Sequence, residues 1–84
     1  MVYTKKYLND FEILYYLKHN EIVYLESKGE PTYKICVYNV STNPRCDGPY
    51  ADDLDIYYYN YDLKIDGFKT TRCGKWRIYK IIIE

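Results

Sequence analysis

Apolar and polar positions alternate along much of the chain, and that period of two predicts strands. Thr32 to Val40 sets Tyr33, Ile35 and Val37 on one face against Lys34, Cys36 and Tyr38 on the other. Leu54 to Tyr61 sets Leu54, Ile56 and Tyr58 against Asp55, Tyr57 and Tyr59. Trp76 to Ile83 sets Trp76, Ile78 and Ile82 against Arg77, Tyr79, Ile81 and Ile83. Apolar residues on both sides of this last run mark a central strand, or an edge that a second subunit covers. A shorter β-rich run, Ile22-Val23-Tyr24-Leu25, ends in the turn signal Ser27-Lys28-Gly29-Glu30-Pro31 and is placed to form a hairpin with Thr32 to Val40.

One segment departs from this period. From Asp10 to His19, the residues Phe11, Ile13, Leu14, Tyr15 and Leu17 share one arc of a helical wheel, opposite Glu12, Tyr16 and His19. Asn9 and Glu12 have capping-box spacing, with Leu8 and Ile13 at the staple positions. Lys18 and His19 suit the negative end of the helix dipole, and Asn20 suits a left-handed exit. Ser41 to Asp53, with Asn43-Pro44, Asp47-Gly48-Pro49 and Asp52-Asp53, reads as a long loop. Asp66-Gly67 and Cys73-Gly74 read as tight turns. The expected fold is therefore α+β: one N-terminal helix packed on a four- to five-stranded, mostly antiparallel sheet, with a small SH3-like or OB-like barrel as the alternative.

Composition then narrows the class. The chain has 84 residues, enough for a single domain over residues 1–84 and near the lower limit for one hydrophobic core. Oligomerisation is a further source of buried surface for so small a chain, so a homo-oligomer is expected. No apolar run is long enough to span a bilayer, and Met1 to Lys6 is too polar for a secretory segment, so a cytoplasmic protein without a membrane partner is expected. The net charge of zero is a cancellation. Residues 41–66 carry two basic and six acidic side chains, and residues 67–84 carry five basic and one acidic. Opposite charges on paired antiparallel strands account for this simply. The alternative is a basic C-terminal face that receives an anion. Three cysteines, Cys36, Cys46 and Cys73, form no CxxC and no disulfide framework, which favours a reducing compartment. Cys36 reads as a core residue, while Cys46 and Cys73 lie in turn-rich segments. The scattered cysteines and the lone His19 do not have zinc-ligand spacing.

Catalytic chemistry is poorly supplied, so a non-enzyme without a cofactor is expected. The chain has one histidine, at the solvated end of the expected helix, and no GxSxG, P-loop, GxGxxG or HExxH pattern. Asp52, Asp53 and Asp55 lack the spacing of a calcium loop and read as a solvated acidic segment entering a strand. The thirteen tyrosines are more informative. In the run Tyr57, Tyr58, Tyr59 and Tyr61 one strand face belongs to the core, which leaves Tyr57, Tyr59 and Tyr61 together on the other. A tyrosine ring gives apolar area with a polar tip at low entropic cost, which suits binding surfaces. With Lys75, Arg77 and Tyr79 on a pairing strand, such a face can stack a base and neutralise a phosphate. Cross-strand tyrosines that merely stabilise an exposed sheet are the plain alternative.

Two segments carry a family resemblance. Phe11 to Val23, an amphipathic apolar helix followed by a Leu-Lys-x-x-x step and a hydrophobic strand, resembles the opening of small phage proteins of the Thoeris anti-defence type-two family. Lys75-Trp76-Arg77-Ile78-Tyr79 is similar to the Trp-x-x-Tyr ending of the same proteins. Where that family usually has Arg-x-x-Trp after the start of the first strand, this chain has Tyr24-Leu25-Glu26-Ser27. The resemblance implies a small α+β oligomer that sequesters a cyclic nucleotide signal, and related small phage proteins inhibit CRISPR nucleases. The expected function is thus a phage-type, anti-CRISPR-like binding protein that inhibits host defence by holding a nucleotide or docking on a defence protein. Tyr57, Tyr59, Tyr61, Lys75, Arg77 and Tyr79 are its candidate contacts. A single-stranded nucleic-acid-binding module and a structural or assembly protein are the other two classes considered.

Overall fold

A computed structural model describes residues 2–44, 52–71 and 75–83, with the side chains of 43, 44 and 52 left aside. The elements are β1 (Tyr3–Leu8), α1 (Asp10–Tyr15), β2 (Glu21–Ser27), β3 (Tyr33–Pro44), β4 (Asp52–Asn60), β5 (Ile65–Thr70) and β6 (Trp76–Ile83). The six strands form one sheet in the order β1-β6-β2-β3-β4-β5, and every neighbouring pair is antiparallel. The α+β class stands, with six strands in place of the four or five expected. Alternation announced neither β5, where Asp66-Gly67 reads as a turn, nor β1. Five of the six residues of β1 are exposed, and two of them are lysines, as befits an edge strand that resists further pairing.

The core lies on one face of the sheet. Ile13 and Leu17 pack there against Val23, Leu25, Ile35, Val37, Leu54, Ile56, Tyr58 and Ile78, with Leu8, Leu14, Tyr33, Val40 and Trp76 around them. A bulge between Val37 and Asn39 keeps β3 in this arrangement. Tyr38 is the extra residue, so Val37 pairs with Tyr58 and Val40 with Ile56 on the same face. Trp76, on β6, donates its indole N–H to the carbonyl of Thr70 on β5 at 2.9 Å. Three strands separate β6 from β5 in the sheet, so this bond requires the sheet to curl toward its core side. Leu8 of β1 and Thr71 beyond β5 line one cleft of about 300 Å³, which shows the same curl bringing the two ends together.

Several expected boundaries move for local reasons. The helix ends at Tyr15, short of His19, because the amides of Tyr16 and Leu17 both donate to the Glu12 carbonyl and close the last turn. Lys18 and His19 are exposed in the turn that follows, where Asn20 takes φ 65° and leads into β2. Phe11 and Tyr15, expected in the core, are exposed and pack on each other with ring centroids 4.8 Å apart. A six-residue helix buries only the narrow stripe of Ile13, with Leu14 half covered. Asp66-Gly67 is not a turn: both residues lie inside β5, and the turn is made at residues 61–64 with Lys64 at φ 58°. Glycine is needed at 67 because the Tyr58 ring lies over it, where a Cβ would come within 2.4 Å of ring atoms. The segment expected as a loop from Ser41 is strand up to Pro44, and strand again from Asp52. The remainder of that loop, with Cys46, and the Cys73-Gly74 turn lie outside the described residues.

Asp53 and Asp55 are buried in β4, not solvated, and each has an interaction partner. Two basic side chains of the C-terminal segment, Arg77 and Lys80, find their carboxylates on β2. Arg77 pairs with Glu26 at 3.1 Å and Lys80 with Glu21, while Lys6 pairs with Glu12 at 3.3 Å. The sheet order explains this, since β6 lies between β1 and β2. That interior position gives β6 a neighbour on each edge, the central-strand alternative of the two expected. Among the described residues no helix is long and apolar enough to cross a membrane.

Candidate ligand-binding face

The face opposite the core carries the side chains that alternation turns away from it. Strand register places Tyr7 beside Tyr79, Tyr79 beside Tyr24, and Tyr24 beside Lys34, so one row crosses four neighbouring strands. The Tyr24 and Tyr79 rings are stacked at 5.2 Å with 14° between their planes. Tyr7 meets Tyr79 edge-on at 5.4 Å. At the far end, the Lys34 ammonium lies 5.9 Å from the Tyr61 ring, and Tyr61 meets Tyr59 edge-on at 5.3 Å. With strands about 4.8 Å apart, the row from β1 to the end of β4 spans roughly 19 Å.

Cations lie on this aromatic row. Lys5 Nζ lies 4.9 Å from the Tyr79 ring centre, and the Arg77 guanidinium carbon lies 4.2 Å from that of Tyr7, both within cation–π range. Glu26 ties the group together. It accepts a hydrogen bond from the Tyr7 hydroxyl at 2.9 Å and another from Arg77 Nη2 at 3.1 Å. The Tyr7 bond, aided by Arg77, holds the Glu26 carboxyl below its ordinary value of 4.5. The same bond and the adjacent negative charge raise the Tyr7 hydroxyl above 10.0. Tyr61 is also raised, chiefly by its hydrogen bond with Cys36. Cys36 is buried as expected, but on this face and not in the core: it pairs across the sheet with Tyr59.

The six candidates divide into groups. Tyr59 and Tyr61 are in contact, and Tyr57 packs on Phe68 of β5 at 5.0 Å. Arg77 and Tyr79 share the same face, but β6 does not pair with β4 as expected. Strands β2 and β3 intervene, a separation of three strand spacings or about 14 Å. What joins the two groups is Tyr24 and Lys34, which the sequence reading did not select; nor did it select Lys5, Tyr7 or Glu26. A signal existed in Tyr24 standing between Val23 and Leu25. Lys75 precedes β6 and lies off the row, in a cleft of about 460 Å³ lined by Glu26, Ser27, Lys28, Lys75, Trp76 and Arg77. Among the described residues no group of three His, Cys, Asp or Glu side chains is arranged to hold a metal ion. The chain matches no family model, no curated protein and no solved structure.

Proposed function

We propose that this chain is a non-enzymatic binding protein that inhibits a host defence system by holding a nucleotide signal on its tyrosine-lined sheet face. The row Tyr7–Tyr79–Tyr24–Lys34–Tyr61 carries this proposal. Aromatic rings offer planar contact to bases, and Lys5, Lys34 and Arg77 supply positive charge beside them. The resemblance of Phe11 to Val23 and Lys75 to Tyr79 to the Thoeris anti-defence type-two family supports a cyclic nucleotide as the ligand.

Equilibrium dialysis against a mixture of cyclic nucleotides, read by mass spectrometry, tests it. The wild-type protein is expected to retain one of them. Tyr59→Ala and Arg77→Ala are expected to weaken retention by about ten-fold or more, since one base stack is worth roughly 1–3 kcal/mol, with melting temperatures little changed. Retention of none, or equal retention by both variants, would contradict the proposal. Capture of a defence protein in place of a nucleotide, weakened by the same variants, would move the function to docking. Binding of a labelled single-stranded oligonucleotide that disappears steeply with salt would move it to nucleic acid.

A further inference from the structure

The cleft at the end of the β2/β6 pair is not accounted for by the tyrosine row. It holds about 460 Å³. The Lys28 amide donates to the Lys75 carbonyl at 3.2 Å, which fixes two lysine-bearing backbones side by side at its mouth. Both lysines are exposed, and neither has an ion pair among the described residues. The one carboxylate in the lining, Glu26, already accepts from Tyr7 and Arg77. Ser27 also lines the cleft, its Oγ buried on the Trp76 side of the strand pair and without a hydrogen-bond partner among the described residues. Two lysines without an ion pair among the described residues therefore line one concave space beside Arg77.

We infer that this cleft is an anion site for a phosphate or diphosphate group, held by Lys28 and Lys75. Arg77 links it to the row, since the residue lines the cleft and its guanidinium lies over the Tyr7 ring. As a phosphate subsite of a nucleotide it rests on the function proposed above, with the base on the tyrosines. As an anion site it stands by itself.

Trp76 lines the cleft and is the chain's only tryptophan, so its fluorescence reports occupancy. Titration of the full chain with inorganic pyrophosphate is expected to change Trp76 emission saturably. The double variant Lys28→Ala/Lys75→Ala alters only exposed side chains and is expected to weaken that response by about ten-fold or more, as loss of charge-assisted hydrogen bonds implies. Lys18→Ala, at an exposed lysine outside the cleft, is expected to leave it unchanged. A response that does not saturate, or that survives in the double variant, overturns the anion site. A saturable pyrophosphate response in a protein that retains no nucleotide on dialysis upholds the site and removes only its role as a nucleotide subsite.

Discussion

At the scale of single residues, Glu26 governs the sheet face. Its carboxylate joins Tyr7 to Arg77 across three strands, so its ionisation couples to folding. Glu12 is likewise lowered, first by the Asn9 backbone bond and then by Lys6. Glu21 is half covered, and burial pushes it up, but its bonds with Lys80 and the Lys18 amide outweigh that and lower it. Groups with depressed folded values stabilise the fold above their unfolded value of 4.5 and lose that contribution as pH falls through the folded value. Tyr7 has the opposite sign: its contribution is present below 10.0 and disappears as pH rises through the raised value. Melting temperature against pH is thus expected to be flat between these limits and to fall outside them, with Glu26→Gln shrinking the acid limb. An acid limb identical in Glu26→Gln would show that the carboxylate does not act as described.

A second residue-scale consequence concerns Gly67. Its missing side chain makes room for the buried Tyr58 ring, so Gly67→Ala is expected to cost about 1–3 kcal/mol by overpacking, seen as a lower denaturant midpoint. A midpoint equal to wild type would show that the ring moves aside freely. The dipeptide Asp66-Gly67 looked like a turn because glycine after aspartate serves turns by its backbone freedom. Here it serves by the absence of a Cβ, and nothing local in the sequence separates the two uses.

At the scale of elements, the short helix depends on its cap. Asn9 Oδ1 accepts from the Glu12 amide at 2.8 Å, and Glu12 Oε1 accepts from the Asn9 amide at 3.2 Å. With so few turns behind it, Asn9→Ala is expected to lower stability by about 1 kcal/mol, measured by chemical denaturation. An unchanged midpoint would mean that Ile13 and Leu17 hold the segment without the cap. This cap was legible because capping is a local code, readable over four residues. The helix C-terminus was not, because the exit is set by tertiary partners: the Asn20 amide donates to the Val37 carbonyl on β3. Strands with a covered face, such as β4 and β6, were legible from alternation. Strand β1 was obscured because only Leu8 reaches the core and its lysines carry no strand signal.

At the scale of the whole molecule, sheet order decides what the tyrosines form. Tyr57, Tyr59 and Tyr61 could be read as a group from one run of sequence, but their continuation through Lys34, Tyr24, Tyr79 and Tyr7 depends on which strands are neighbours. Placing β6 between β1 and β2 puts Arg77 and Tyr79 beside residues more than fifty positions away and removes them from the strand with which they were expected to pair. The class of surface was therefore legible, as an aromatic face with cations, while its extent was not. The sheet curls over a core on one face, and its other face carries the row of rings and cations.

The most direct test of that surface as a ligand site is amide and side-chain chemical-shift mapping during titration with the cyclic nucleotide retained in dialysis. Shifts concentrated on Tyr7, Tyr24, Lys34, Tyr59, Tyr61 and Tyr79, with the core-face residues Val23, Ile35 and Ile56 unmoved, are predicted. Shifts confined to the helix side of the sheet, or none on the tyrosine row at saturating ligand, would contradict it.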